Sequence, residues 1–365
     1  MNHSKTHIFF VLPSLAAGGA ERILSYVAQN LDSNQFSVTL LITGYEKDTV
    51  YHLENLHIVY LNKPRVLKAF RSLFLYFRKH KPDIVVSSIV HLNTMIAFMS
   101  PFFRKIKFVA REANVLTVLN KHNPYTNKAF PKAMIVLAYK LVDCIICQSK
   151  DMQKDMIANY NVPKSKTILI NNPITKSFNI KTNGRDTSKP LQFITIGRLS
   201  KEKGHERIIE ALSQLKYPFE YIIIGSGNEK EKIFELLDSK GLTKNIKYIS
   251  YTNKVEVYLA AADLFLQGSY VEGFPNVLIE SCVVGTPILA FNAPGGLDEI
   301  IEPGKNGYVA DTIKDYVVYL NKMRVTFPFK PETVSEVVKS RFSSIKIINE
   351  YKNLFLKLST KNLDV

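Results

Sequence analysis

The sequence predicts an α/β protein built as two domains, each a parallel sheet of Rossmann-like βαβ units. Three observations carry this. Short apolar, β-branched runs alternate with longer helical segments from the first residues onward, which implies parallel strands joined by crossover helices. The alternation runs once through the first half and again through the second. Between the halves lies Ile180–Pro190, polar and poor in apolar residues, which reads as a linker. A chain of 365 residues is long enough for two domains with separate cores.

Taken in order, Thr6–Leu12 reads as the first strand, and Gly18 and Gly19 open a helix that runs to about Leu31. Strands follow at Phe36–Thr43 and His57–Leu61, a helix over Val66–His80, and a strand at Asp83–Ser88. A helix near 92–103, a strand at Lys107–Arg111, a helix near 129–141 and a strand at Cys144–Gln148 continue the pattern. Asn171-Asn-Pro173 closes the first domain, expected over residues 1–175. The second, expected over 190–340, has strands near 191–197, 219–225, 246–250, 264–268 and 287–291. After about residue 311 the chain turns helical, Phe327–Pro331 breaks it, and Ile345–Leu358 is a last helix within a terminal segment, 341–365.

Composition narrows the function classes. The apolar fraction of 46% is that of an ordinary globular protein, and no run of 18 uncharged apolar residues is present, so no membrane-spanning helix is expected. The first residues lead straight into a strand and do not read as a signal peptide, so a cytoplasmic site is expected. Cys144 and Cys147 form a Cys-x-x-Cys inside an apolar strand, which points them to opposite faces. With no second pair to complete a zinc site they read as core residues. The net charge is +16, and residues 55–142 hold 15 basic residues against only Asp83 and Glu112. Such a patch seeks phosphates, of lipid headgroups or of nucleic acid.

The stretch Glu272-Gly-Phe-Pro-Asn-Val-Leu-Ile-Glu280 carries the chemistry. Proline is favoured where a helix begins, because its missing N–H would be unpaired there. A helix entered at Pro275 offers the N–H groups of Asn276 and Val277 to an anion. Glu272 then lies just outside that helix end and Glu280 in its second turn, so one helix start can hold a phosphate while carboxylates grip hydroxyls on either side. A surface loop with two unrelated glutamates has the same spacing. Upstream, Ile194–Gly204 is a strand and a loop carrying Arg198 and Lys203. Ile222–Gly227 is a strand ending in glycines, and Pro294–Glu299 and Gly304–Gly307 fall where further strands would end. Near the amino terminus stands Gly18-Gly-Ala-Glu-Arg22.

This ordered set resembles the retaining glycosyltransferases of family 4, of GT-B fold, and the resemblance covers nearly the whole chain. It implies two Rossmann-like domains with sheets facing across a cleft, and a terminal helix crossing back to the first domain. The first domain would bind the acceptor and the second the nucleotide-sugar donor. The resemblance assigns Arg198 and Lys203 to the donor diphosphate, and Glu280 to the ribose hydroxyls. It gives Glu272 the donor-sugar hydroxyls, and gives Phe274, Asn276 and Val277 backbone N–H groups around sugar and phosphate. Gly18 and Gly19 let the backbone approach the diphosphate. Ser250 and Tyr251 follow the strand where this fold usually holds the base. Many relatives carry Ser-Glu-His at the end of a first-domain strand. Here the matching stretch is Ala110-Arg-Glu-Ala-Asn114, so Glu112 is kept and Ala113 replaces the histidine. Glu112 and Asn114 remain acceptor-side candidates, and Asn114, His91 and His122 could substitute for the missing imidazole.

The implied reaction moves a sugar from a nucleotide-sugar, with UDP as the expected nucleotide, to a lipid-diphosphate-linked saccharide of capsule, O-antigen or related glycan synthesis. Configuration is retained, with the leaving phosphate as the base. No Asp-x-Asp is present, so no metal or other cofactor is expected; cations and a helix start would meet the charge on the leaving diphosphate. Two rivals stay open. One is another GT-B enzyme, a nucleotide-sugar epimerase or a synthase acting on a soluble glucan. The other is a basic nucleic-acid-binding protein; it is disfavoured because the basic residues interleave with long apolar side chains, as over Phe70–Arg78. Basic residues Lys63, Arg65, Lys68, Arg71, Arg78, Lys79 and Lys81 surround an apolar stripe of Val66, Leu67, Phe70, Leu73, Phe74 and Phe77, and 95–107 is apolar and then basic. These read as an anionic-membrane surface, making the protein peripheral on the inner face of the cytoplasmic membrane. The same stripe also serves a helix that simply packs on its sheet.

Overall fold

The computed structural model describes residues 5–51, 53–122, 130–182, 185–186 and 188–360. It falls into two compact units: Met1–Thr117, Tyr125–Thr175 and Ser344–Val365 form the first, Val118–Pro124 and Lys176–Ser343 the second. Among the described residues no helix is long and apolar enough to cross a membrane.

Unit 1 is a seven-stranded sheet, every strand parallel to its neighbours. Its chain order is β1 (Thr6–Leu12), α1 (Gly19–Asn30), β2 (Phe36–Ile42), β3 (His57–Tyr60), α2 (Phe70–His80), β4 (Ile84–Ser88) and α3 (Val90–Ala97). Then come β5 (Lys107–Arg111), α4 (Leu116–His122), α5 (Lys132–Leu141), β6 (Cys144–Cys147), α6 (Lys150–Tyr160) and β7 (Thr167–Leu169). The strands lie in the order β3-β2-β1-β4-β5-β6-β7, so the order reverses between β1 and β4. Central strands covered on both faces read as continuous apolar runs, and Ile8 to Leu12 are accordingly all buried.

Unit 2 repeats the plan with six parallel strands: β8 (Leu191–Ile196), α7 (His205–Leu212), β9 (Phe219–Ile224), α8 (Lys230–Ser239), β10 (Ile246–Ile249), α9 (Val255–Ala261) and β11 (Leu264–Gln267). It continues through α10 (Asn276–Val283), β12 (Ile288–Phe291), α11 (Leu297–Ile300), β13 (Gly307–Ala310), α12 (Ile313–Val325) and α13 (Pro331–Phe342). The order is β10-β9-β8-β11-β12-β13, reversing between β8 and β11.

Several expected boundaries are corrected. The helix expected over Val66–His80 begins as a 3₁₀ turn, Val66–Ala69, before α2. The helix expected near 92–103 starts at Val90 and ends at Ala97, with a separate 3₁₀ turn at Ser100–Phe102 that contains Pro101. α5 begins at Lys132, directly after Pro131, whose extended backbone stands outside the helix; residue 129 lies outside the described residues. Pro275 likewise precedes α10 as its cap instead of forming its first turn. β7, β13 and α4 were not expected. They span three, four and seven residues, too few for periodicity to separate them from loop. Cys144 and Cys147 are both buried, and burial pushes the Cys144 thiol up to about 12 and the Cys147 thiol higher still, as inert core groups.

The last helix, α14 (Ser344–Thr360), belongs to unit 1. Ile347, Tyr351, Leu354 and Phe355 recur at helical spacing and join the core formed by β1, β2, β4 and α1. Phe355 meets Phe10 and Phe36 edge-on at ring separations of 5.9 and 6.4 Å. The Tyr351 hydroxyl accepts from Arg111 Nε at 3.1 Å, and Arg111 Nη2 donates to Asn172 Oδ1 at 2.6 Å. Thus the chain end, the end of β5 and the segment leaving unit 1 share one buried guanidinium. Phe355→Ala is expected to destabilise unit 1 by about 3–5 kcal/mol, since the cavity would be enclosed by rigid rings and strands. Urea denaturation of the full chain checks this; a loss under about 1 kcal/mol would mean that α14 contributes little to that core.

Candidate functional site

Three of the residues singled out in the second half, Lys203, Glu272 and Val277, gather where the strand order of unit 2 reverses. In open parallel sheets the crevice at the carboxyl ends of the strands on either side of such a reversal is the natural ligand site. The loop after β8 carries Gly197, Arg198 and Lys203; the loop after β11 carries Gly268 to Glu272. A cleft between them is lined by Gly197, Lys203, Gln267, Ser269, Glu272 and Val277, among others.

At its centre is an ion pair. Lys203 Nζ donates to Glu272 Oε1 at 2.7 Å and to Oε2 at 2.8 Å. Ser269 Oγ donates to the same Oε1 at 2.5 Å. The Glu272 side chain is only 10% exposed and that of Lys203 23%, so neither charge is fully hydrated. The backbone holds Glu272 from behind: its N–H donates to Pro294 O at 2.9 Å. A Cβ on Gly295 would fall 2.3 Å from the Glu272 carbonyl oxygen, and Gly295 has φ +128°, so this close approach and this backbone both require glycine.

The other expected residues are distributed as follows. Asn276 and Val277 form the start of α10, with Phe274 buried just before it and against Phe342. Glu280 lies one turn on, half-buried. Arg198 is 73% exposed, with Nη2 3.5 Å from the buried carboxylate of Glu202. Ser250 and Tyr251 are exposed immediately after β10. The structure therefore joins Lys203, Glu272 and Val277 in one cleft, while Arg198, Glu280, Ser250 and Tyr251 stand outside its lining. Ser269 and Gln267 were not singled out. Ser269 sits three residues before Glu272, just upstream of the Glu272–Glu280 stretch, and that proximity is the signal that could have found it. Gln267 is 4% exposed, with no partner for either amide atom among the described residues.

In unit 1, Gly18 caps α1 and is held by Tyr51, whose hydroxyl accepts from Gly18 N at 2.9 Å and donates to Gly18 O at 2.8 Å. Gly19 is exposed and Asn114 half-buried. Glu112 is entirely buried at the end of β5. Its Oε1 accepts from Asn93 Nδ2 at 2.9 Å and from the Tyr139 hydroxyl, and Asn93 Oδ1 accepts from Ser87 Oγ at 2.8 Å. Glu112, expected on the acceptor side, thus has its carboxyl enclosed by protein. Burial raises its pKa above the ordinary carboxylate range. His91 is half-buried in α3, and burial lowers its pKa. Among the described residues no cluster of three or more histidines, cysteines or acids has the geometry to hold a metal ion.

An acid whose folded pKa is raised destabilises the fold as pH climbs. Below the ordinary carboxylate range both states are protonated. Between that range and the raised value only the unfolded chain gives up its proton, so stability falls with pH. Glu112→Gln keeps the acceptor oxygen and removes the proton. The variant should lose this falling component, which urea midpoints taken across pH 4–8 would reveal; an unchanged pH profile would mean that Glu112 is charged in the fold.

Comparison with known proteins gives a consistent picture. Residues 17–178 match the model described as Glycosyltransferase Family 4, and residues 177–323 the model described as Glycosyl transferases group 1. A Campylobacter jejuni protein is 25% identical over 355 residues, covering 92% of this chain and 96% of its own length. It is named N-acetylgalactosamine-N,N'-diacetylbacillosaminyl-diphospho-undecaprenol 4-alpha-N-acetylgalactosaminyltransferase. The apo form of the lipopolysaccharide outer core galactosyltransferase WaaB superposes with a TM-score of 0.79 at 16% identity, over 96% of this chain and 99% of that one. Anabaena Alr3699/HepE in complex with UDP gives 0.77 at 19% identity, over 96% and 100%.

Proposed function

The chain belongs to the family 4 glycosyltransferases, of GT-B fold, and from that premise we propose that it transfers a sugar from a UDP-sugar to a lipid-diphosphate-linked saccharide, with retention of configuration and without a metal. The observation that carries the reading is the Lys203–Glu272 pair at the β8/β11 reversal, beside the start of α10. As the anomeric bond breaks, negative charge grows on the departing diphosphate. Lys203, with Arg198 on the same loop and the first N–H groups of α10, supplies positive charge where it is needed. Glu272 is the hydroxyl acceptor for the donor sugar and Glu280 the one for the ribose. The lipid-linked acceptor is supported by the name of the Campylobacter relative, and the UDP donor by the nucleotide in the Anabaena structure.

The test is a panel of UDP-sugars offered to the full chain with a polyprenyl-diphosphate-linked saccharide, with and without EDTA. One donor should be consumed with the anomeric configuration kept and the rate unchanged by the chelator. Lys203→Ala should lower kcat by about 100-fold or more, and Arg198→Ala should lower it too. Glu280→Ala should weaken UDP binding by about 1.5–3 kcal/mol. Wild-type turnover by a folded Arg198→Ala protein would remove Arg198 from the diphosphate site. Activity lost in EDTA and restored by Mn²⁺ or Mg²⁺ would overturn the metal-free mechanism.

We further propose that unit 1 docks on an anionic membrane from the cytoplasmic side. The apolar stripe divides as two competing demands require. Leu73 and Phe77 are buried, whereas Leu67 and Phe70 are 55% and 41% exposed, as is Leu75 beside the stripe at 51%. Phe102 is 70% exposed and joins Phe70 through Phe74, at ring separations of 5.7 and 6.4 Å. Lys68, Arg71, Arg78, Lys79, Arg104 and Lys105 stand exposed around these rings. Each basic residue near an anionic surface adds about 1 kcal/mol. Co-sedimentation with phosphatidylglycerol vesicles should be salt-sensitive and lost when Lys68, Arg71, Arg78 and Lys79 are changed together to serine. Equal recovery of both proteins in the pellet, or stronger binding to duplex DNA than to the vesicles, would overturn it.

A further inference from the structure

The site reading leaves Arg207 unused, and the structure gives it more partners than a surface arginine needs. It lies in the first turn of α7, directly after the loop that carries Lys203. Its guanidinium carbon lies over the ring of Tyr270 at 4.0 Å and over that of Phe291 at 4.5 Å. Nε donates to Gly268 O at 2.9 Å, and Nη2 donates to the carbonyl oxygens of Gly268 and Ser269. Among the described residues no carboxylate lies within ion-pair distance of it. Its donors are directed at the backbone of the loop after β11, which ends at Glu272.

We propose that Arg207 is a positioning residue: it clamps the segment Gly268–Glu272 and thereby sets the carboxylate that Lys203 meets. The proposal rests on the reading that Lys203 and Glu272 serve the sugar donor. The two loops touch backbone to backbone. Gly204 has φ +54°, and a Cβ there would fall 2.1 Å from Gly268 O; one on Gly268 would fall 2.3 Å from Gly204 O. With no side chain wedged between them, hydrogen bonds fix their relative position. Tyr270 N donates to Glu202 O at 2.8 Å, and the Tyr270 hydroxyl donates to Glu206 Oε1 at 2.7 Å. The His122 ring stacks on Tyr270 at 4.6 Å with the planes 1° apart, and Tyr316 stacks on Phe291 at 4.2 Å. The rings that hold Arg207 are therefore themselves held. Ser269, whose carbonyl Arg207 grips, is also the residue whose hydroxyl reaches Glu272. Lysine cannot replace this contact, because only a planar fork can lie against rings while its edge serves two carbonyls.

The experiment compares full-length wild type with Arg207→Lys, Phe291→Leu, Glu272→Gln and the Arg207→Lys/Glu272→Gln double variant. Three quantities are read: thermal midpoint, amide hydrogen exchange over residues 266–274, and kcat and KM for the UDP-sugar consumed. Arg207→Lys should raise exchange in that segment by about 10-fold or more while the rest of unit 2 stays protected. Its kcat should fall by about 10- to 100-fold with a smaller change in KM, as expected when a reacting group is displaced by a fraction of an ångström. The double variant should be no slower than Glu272→Gln alone, because both changes act through one carboxylate. Phe291→Leu should move both readouts in the same direction by less, which keeps the proposal open to test if Arg207→Lys does not fold. Unchanged exchange with wild-type kcat, or losses that multiply in the double variant, would overturn it. If wild type consumes no UDP-sugar and binds no UDP, the donor reading falls by itself, and the exchange measurement still decides whether Arg207 holds the loop.

Discussion

Lys203 and Glu272 face one another across the ends of two adjacent strands, β8 and β11, and the plan of unit 2 follows from keeping them there. Each charge is largely withdrawn from water, so each needs the other: removal of one would strand its partner in a poorly hydrated place, a far larger penalty than the net gain of the pair. The sheet reversal supplies the opening, since the chain leaves β8 and β11 toward opposite sides. Gly295 and Gly204 permit the backbones to close in, and Ser269 uses up a further lone pair of Glu272. A site built this way is preorganised. A ligand that takes over the contacts of Lys203 meets a cation already in place, with little side-chain entropy left to lose.

Unit 1 uses buried polar groups differently. Arg111 is fully buried and bonded to a tyrosine hydroxyl and an asparagine oxygen. Glu112, its neighbour, is an acid held among neutral donors. Consecutive residues at a strand end point to opposite sides, so the cation and the acid do not neutralise one another. The first ties α14 and the exit segment to β5; the second ties α3 and α5 to it. These ties explain why a terminal helix, reached only after the whole of unit 2, belongs to the core of unit 1.

Much of this was legible in the sequence because the signals are periodic or carry a turn residue. The long strands and helices followed from alternation, and the ion-pair residues from the spacing of Glu272 and Glu280 together with the loop of Arg198 and Lys203. The misses have physical causes. β7 and β13 are too short for periodicity, and the helices that follow Pro131 and Pro275 begin only after the proline, later than composition implies. The burial of Glu112 depends on Asn93 and Tyr139, 19 and 27 residues away in sequence. Arg207 was invisible because a basic residue on an amphipathic helix ordinarily faces water. Only the tertiary placement of Tyr270 and Phe291 turns it inward.

Positive charge is the common thread, and burial decides what each cation does. Arg207 is covered by rings and spends its donors on carbonyl groups, so it organises a loop and is unavailable to a ligand. Lys203 is part-buried with a carboxylate partner, so its charge is fixed in space yet can be shared with an arriving phosphate. Lys68, Arg71, Arg78 and Lys79 are exposed among aromatic side chains and act only through their summed field, which salt screens over about 10 Å. The net charge of +16 therefore does not describe a single property of the molecule. The surface excess in unit 1 is sensitive to ionic strength, whereas the cations at the β8/β11 opening work at contact distance, where screening is weak and geometry sets the interaction.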